Sequence, residues 1–377
     1  MKIVALGQAL IRHPLTWSDE IRALVAGADA VMCNFEGCIA PPGAFPMKTK
    51  TVHPAPPSAL PALRDLGVTH LALANNHVWD YGPASVLATR RAAEAAGFAC
   101  AGAGASLAEA AAFALKNGAA LIAVDAGPTP DWAIARGGPE GGAHPGVNPL
   151  RLRRTLELPR ADLLRLAEIA EATGAKDLAA RRQAIGYDAK SGDNFYGIDL
   201  AEGSSPHERW QSDPADLARL LEGIEAAKRV ADAVIVSLHY HHWSADWQRA
   251  PEWLGPIAAE IAAAGATALI AHGPPVCYPQ SYADRQNPPA EGTKDKLDAA
   301  GQGPRNQADA APQSSAVSPA NEHAKMPVAA GLGNLVFHTA RSATYAREGV
   351  PVWQGGALIL EPGPARLEPV AVLRPPV

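Results

Sequence analysis

Asn75-Asn76-His77, with Asp80 three residues on, brings an amide oxygen, an imidazole and a carboxylate into one short run. These residue types serve either metal binding or proton transfer: the imidazole works as ligand, acid or base, and the carboxylate can orient the side chain before it. Comparable groups stand in Asn34-Phe35-Glu36, in His239-Tyr240-His241-His242 and in His272-Gly273. From Glu36, Asn75-Asn76-His77, His239 and His272, one carboxylate, one amide oxygen and two imidazoles make a ligand set suited to a divalent ion such as Zn²⁺, Mn²⁺ or Fe²⁺, with positions left for water or substrate. A plainer reading stays open for each fragment. Asn75, Asn76 and Asp80 also suit an Asx turn capping a helix from Ala84, Glu36 suits a solvated turn, and the histidine run suits an exposed strand end.

The elements needed to position these groups are strands that stop where the polar residues begin. Short apolar runs predict strands over 2–6, 28–32, 71–74, 98–101, 233–238 and 268–271, and each polar group above follows one of them. Residues 113–115 and 119–124 read as a hairpin across Asn117-Gly118, and 355–360 and 367–372 as closing strands. Helical periodicity predicts helices over 18–26, 58–66, 86–96, 107–112, 214–230 and 253–264, with one or two more in 160–183. Strand and helix alternate, so the expected class is α/β, and α/β folds place chemistry past the carboxyl ends of their strands. Residues 7–14 read as a loop, 127–150 as a functional loop, and 280–325, poor in large apolar residues, as a mobile insertion in a single domain spanning 1–377.

Composition narrows the function classes. The 377 residues are 47% apolar, and 33 basic against 38 acidic residues give a formal charge of −5 with no basic block. Nucleic acid and anionic membranes therefore have no electrostatic attraction to this chain. The four scattered cysteines suit a reducing compartment. The apolar run from Met1 stops at Gln8, too short for a signal peptide or membrane anchor, so a cytoplasmic location is expected. Oligomeric state is left open.

Asn34-x-Glu36, Asn75-Asn-His-x-x-Asp-x-Gly82, His239 with Trp243, His272-Gly-Pro and Gly331-Leu-Gly-Asn-Leu-Val-Phe337 stand in the order found in the CapA family of bacterial capsule or poly-γ-glutamate synthesis proteins, which the chain resembles. That family is similar to the calcineurin-like metallophosphoesterases. The resemblance implies a metallophosphatase-like α/β sandwich in which Glu36 would bridge two ions, Asn76 would bind the second, and His77 would act as acid or donor. Two departures fall on one side: Gly7-Gln8 replaces the family's Gly-Asp, and Pro275 stands where a closing histidine is usual. Both serve the first metal in metallophosphoesterases, whereas Glu36, Asn76, His239 and His272 match ligands of the second. One ion per chain is therefore expected.

Three functions follow as expectations. The first is a metal-dependent hydrolase cleaving a phosphoester or amide with a metal-bound water. Here His77, oriented by Asp80, and His241 would move protons, and Gln8, Arg12, Lys48, Asn148 and Arg151 would bind a small-molecule or peptide-like anionic substrate. The second is a single-metal epimerase or lyase. The third is a non-enzymatic binding or assembly subunit of capsule polymer synthesis.

Overall fold

A computed structural model describes residues 1–49, 51–137, 142–187, 194–244, 249–278 and 326–374. The expected insertion over 280–325 lies outside the described residues. The sequence reading treats 1–377 as one domain, but the residues group into two compact units: Met1–Pro149 with Arg219–Val377, and Leu150–Ala218.

The larger unit is built on two sheets. One runs in the order Arg366–Ala371, Gln354–Leu360, Ile3–Leu10, Ala30–Phe35, His70–Ala72 and Ala99–Ala101. The other runs Val328–Ala329, Ala268–His272, Ala233–His239, Ala119–Asp125 and Ala114–Lys116. Side chains alternate across a strand, and both faces of the first sheet are apolar. Ile3, Ala5, Ala30 and Met32 face a core shared with Leu121, Ala123, Ile235 and Ile270 of the second sheet. Val4, Leu6, Val31, Cys33 and Phe35 join an outer core with Ile21, Leu63 and Val86 from the helices Asp19–Val25, Ala59–Asp65 and Pro83–Ala95. The helices Pro214–Lys228 and Leu254–Ala264 contribute buried Leu220, Ile224, Ile257 and Ile261. This is the α/β sandwich of the metallophosphatase type.

Two strands run further than their apolar stretches predict, and both extensions carry site residues. Gln354–Leu360 pairs with Ile3–Leu6, after which Asn334–Phe337 takes over the same edge from Gln8 to Leu10. Gly7 permits the exchange: a Cβ there would lie 2.5 Å from the Gly333 carbonyl oxygen. The 7–14 segment is thus strand as far as Leu10, with Gln8 buried in it. Ala30–Phe35 likewise continues through Asn34, whose buried amide is hydrogen-bonded on both sides and so meets the condition for burial.

The smaller unit has a four-stranded sheet in the order Asn194–Phe195, Ile198–Glu202, Leu152–Leu158, His207–Ser212. Helices Arg160–Ala172 and Ala175–Ala184 occupy the expected 160–183 region and run one residue past it, but neither has a fully buried residue. The strands escape an apolar-run search because their outward positions are filled by paired charges, such as Arg153 with Asp199 and Arg209 with Glu157. Among the described residues no helix is long and apolar enough to cross a membrane.

The facing layer of the two sheets is rich in alanine, and Gly102 marks how close they come. A Cβ at Gly102 would lie 2.6 Å from Ala74 Cβ and 2.7 Å from Ala123 Cβ, whereas one at Gly97 would meet nothing within 4 Å. Both glycines have positive φ. Gly97→Ala should therefore cost only the backbone term, roughly 1–2 kcal/mol, and Gly102→Ala a further 1–3 kcal/mol or so of overpacking. Urea denaturation of the two variants checks this; equal costs would show that the sheets can separate without penalty.

Candidate metal centre

Strand register brings the polar groups together. Parallel pairing of three neighbouring strands in the second sheet places His239 opposite His272 on one side and opposite Asp125 on the other. Pairing continues past the strand ends through Ala126 N to His239 O at 2.7 Å and His241 N to Gly127 O at 2.9 Å. His241 therefore stands two residues beyond His239 in extended chain and projects to the same side. In the first sheet Asn34 pairs with Gln8 and Ala72, and Glu36 N donates to Ala9 O at 3.2 Å. The loop after His70–Ala72 is shaped by Asn75, whose Oδ1 accepts from His77 N and Val78 N, both at 3.0 Å, and whose Nδ2 donates to Phe35 O at 2.8 Å. This is an Asx turn, but it does not cap the next helix, which begins after Gly82 with no side-chain cap.

Ligand atoms of Glu36, His239 and His241 all lie within 4.8 Å of one another. His239 Nε2 is 3.1 Å from His241 Nε2 and 3.1 Å from Asn76 Oδ1, while its Nδ1 faces the Asn34 amide at 3.4 Å. Groups bound to one transition-metal ion at about 2.1 Å and at right angles stand roughly 3 Å apart, so these spacings fit a shared divalent ion. The electrostatics agree. Burial pushes the Glu36 carboxyl up to about 8, opposed by the Lys48 charge and reinforced by Asp80. Burial also pushes His241 down to about 3 and His239 well below its usual value. A buried carboxyl beside two neutral imidazoles is a site short of positive charge, which a cation would supply.

Beside the cluster, His77 is held by Asp80. His77 Nδ1 is 3.0 Å from Asp80 Oδ2, and His77 Nε2 is 4.0 Å from Glu36 Oε1. Asp80 is wholly buried, and it also takes the His53 backbone N–H at 2.7 Å and the Lys48 ammonium at 2.7 Å. Burial raises the Asp80 carboxyl, but the hydrogen bond from His77 and the charges of His77 and Lys48 outweigh it and leave it below its usual range. Burial lowers His77 more than Asp80 restores it.

The structure brings Glu36, Asn76, His77, Asp80, His239 and His241 into one place, and it uses the other expected residues differently. His241, expected as an acid or base, belongs to the ligand cluster. His272 does not: it sits beside His239 in register, buried, with Nδ1 unpartnered and its ring pushed down to about 3 by burial. Gln8, expected to bind substrate, is buried with both ends engaged, Nε2 to Asn334 Oδ1 at 3.1 Å and Oε1 from Gly273 N at 3.0 Å. Lys48 is occupied by Asp80 and the Asn76 carbonyl, and it lies 4.0 Å over the Trp79 ring. Asn148 is buried between Ala123 O and Arg219, and Arg151 belongs to the smaller unit, where it pairs with Asp216 at 2.6 Å. Arg12 is exposed, and its backbone N–H is held by His338 Nδ1 at 3.0 Å.

Two contributors, His53 and Asp125, escaped the sequence reading. His53 packs its ring 4.1 Å from that of His77, while Asn34, from the Asn34-Phe35-Glu36 fragment, places its amide 3.4 Å from His239 Nδ1. Asp125 accepts from Gly127 N and Thr129 and so fixes the turn whose carbonyl holds His241. A polar residue ending an apolar run was the available signal for Asp125. Nothing in the proline-rich 41–61 segment marks His53.

The sequence model described as bacterial capsule synthesis protein PGA_cap matches residues 8–339, and the chain belongs to that family. Two proteins of Sinorhizobium fredii (strain NBRC 101917 / NGR234), "Uncharacterized protein y4sH" and "Uncharacterized protein y4uA", are each 27% identical to it over 290 residues. The match covers 72% of this chain and 60% of each of theirs, so the chain spans about 60% of the length of the curated relatives it matches.

Purified protein should take up close to one equivalent of Mn²⁺ or Zn²⁺ by elemental analysis. Metal at a hundred times its Kd should raise stability by about 2.7 kcal/mol, reversed by a chelator. His241→Ala should weaken binding by at least about tenfold. Two tightly bound ions, or unchanged affinity in His241→Ala, would contradict this ligand set.

Proposed function

We propose that this member of the capsule synthesis family is a hydrolase dependent on one divalent ion, Mn²⁺, Zn²⁺ or Fe²⁺, which cleaves a phosphoester or amide bond in a small anionic substrate. The observation that carries the reading is the cluster of Glu36, Asn76, His239 and His241 with the His77–Asp80 pair at its edge. Glu36, Asn76, His239 and His241 would hold the ion, with His272 beside His239 in register. A divalent ion there supplies Lewis acidity, polarising the substrate oxygen and making water nucleophilic at neutral pH.

The chain's own residues then handle position and protons. Asp80 fixes the His77 tautomer with its proton on Nδ1, which leaves Nε2 directed toward the Glu36 side of the site with a lone pair. His77 Nε2 accepts a proton there and returns it to the leaving group. Lys48 balances the Asp80 charge and grips the Asn76 carbonyl, so the loop carrying both a ligand and the proton carrier is tied at its base.

The state of Gln8 supports one ion rather than two. Its neutral amide is consumed by Asn334 and Gly273, and the Pro275 carbonyl accepts from Asn334 Nδ2 at 3.1 Å, so neither position offers an anionic ligand. The same observation favours a second reading, epimerisation or elimination beside a polarised carbonyl. Solvent deuterium entering recovered substrate without bond cleavage would select it.

His77→Gln should keep its ion and lose about 10²–10⁴-fold in turnover, whereas His239→Ala should lose ion and turnover together. Paired measurements of metal content and rate decide the matter. A His77 variant that loses its metal, or keeps full activity, defeats the assignment.

A further inference from the structure

Two arginines emerge beside the metal centre on adjacent loops. Strands Ile3–Leu10 and Asn334–Phe337 run parallel with Leu10 opposite Phe337, so the segments that follow leave the same sheet end side by side. Glu36 sits at that end, through its N–H bond to Ala9 O. The two segments are tied together: His338 N donates to Leu10 O at 3.2 Å, and His338 Nδ1 accepts from Arg12 N at 3.0 Å and His13 N at 3.1 Å. Arg12 is thereby fixed next to the start of 339–341. Arg341 opens the helix Ser342–Arg347, whose Tyr345 N donates to Arg341 O at 3.1 Å and whose Tyr345 ring packs 5.7 Å from Phe337.

Both side chains are exposed, and among the described residues neither has an ion-pair partner. Arg366 by contrast pairs with Glu361, Arg347 pairs with Glu348, and Arg374 lies over Trp353. The charge of Arg12 reaches the site, and that of Arg341 reaches the neighbouring Tyr345. His53, pushed down to about 3 by burial and by His77, also feels Arg12. Tyr345, raised by burial, is lowered by Arg341 and raised by Glu36, so both charges act on the same ring. Lys48, the other cation in the centre, is already taken by Asp80.

We infer that Arg12 and Arg341 form a second anion-binding point at the rim of the metal centre, so that the substrate carries a carboxylate or phosphate separate from the bond being cleaved. This deepens the proposed function and rests on that reading of the centre. Two guanidinium groups on neighbouring loops offer fork-shaped donors to one planar or tetrahedral anion, and their exposure lets that anion arrive without displacing an internal partner.

The test uses probes in place of an unidentified substrate. Mn²⁺-loaded protein is titrated calorimetrically with carboxyalkylphosphonates of increasing length and with alkylphosphonates of matched length. At least one carboxylated length should bind about tenfold more tightly than its uncharged counterpart. Arg12→Gln and Arg341→Gln should each erase most of that preference while leaving alkylphosphonate affinity unchanged, and Arg91→Gln, at an exposed arginine of the helix Pro83–Ala95, should leave both unchanged. Bisphosphonates of the favoured length show whether carboxylate or phosphate is preferred. Equal affinity at every length, or a preference that survives both substitutions, overturns the inference. Should the protein take up no Mn²⁺, the hydrolase reading falls. The same titration on metal-free protein then upholds the clamp if the carboxylate preference depends on Arg341, and overturns it if not.

Discussion

A carboxylate with no solvent contact, that of Asp80, sets the geometry of the whole centre. An ionised carboxyl is kept buried only where hydrogen bonds and a counter-charge offset its lost hydration. Asp80 obtains these from the His77 ring, the His53 backbone and Lys48. Each partner belongs to a segment with little regular structure of its own, so one buried charge ties Lys48 and His53 to the 75–80 loop. The Asp80 carbonyl adds a 2.7 Å bond from Met47 N to the same junction. The irregular chain here is not loose, because releasing any of these segments would strand a charge in an apolar surround.

The second constraint is the closeness of the two sheets. Alanine-rich facing layers let Asn34 of one sheet touch His239 of the other, and let Gln8 reach the Gly273 N–H across the same gap. A bulkier interior would hold the two sets of strand ends too far apart to share an ion. Packing choices in the core thus decide whether the polar residues at the rim form one cluster or two.

Much of this was legible in the sequence because parallel strands end abruptly and leave polar residues at their carboxyl ends. That rule points to Glu36, Asn76, His77 and His239, which lie together, and to His272, which lies outside the ligand cluster. Register was not legible. In sequence His272 reads as the ligand and His241 as a proton carrier, yet extended pairing with 126–127 carries His241 onto the His239 side while His272 lies one strand over. Gln8 and Asn148 looked like substrate donors because amides are usually solvated, and only the structure shows both saturated by internal partners. Arg151 was misplaced for a related reason: the strands of 152–158 and 207–212 carry paired charges outward, so the smaller unit that claims it gave no apolar signal. The two strand extensions were missed because Gln8 and Asn34, read as loop, are strand residues made tolerable by their hydrogen bonds.

Charge balance ties these observations together. Lys48 neutralises Asp80, which leaves Glu36 as the one carboxylate of the cluster, buried and raised toward neutrality. In the proposed reading a divalent ion restores Glu36 to its ionised form and leaves one positive charge over. The neutral amide at Gln8 supplies nothing to cancel it, and neither do neutral Asn76, His239 and His241. A second divalent ion would deepen that excess in a nearly dry site, where uncompensated charge is costly. In that reading an anionic substrate would complete the balance for one ion, so the neutral amide at Gln8 would bear on both the number of ions held and the sign of the molecule that binds.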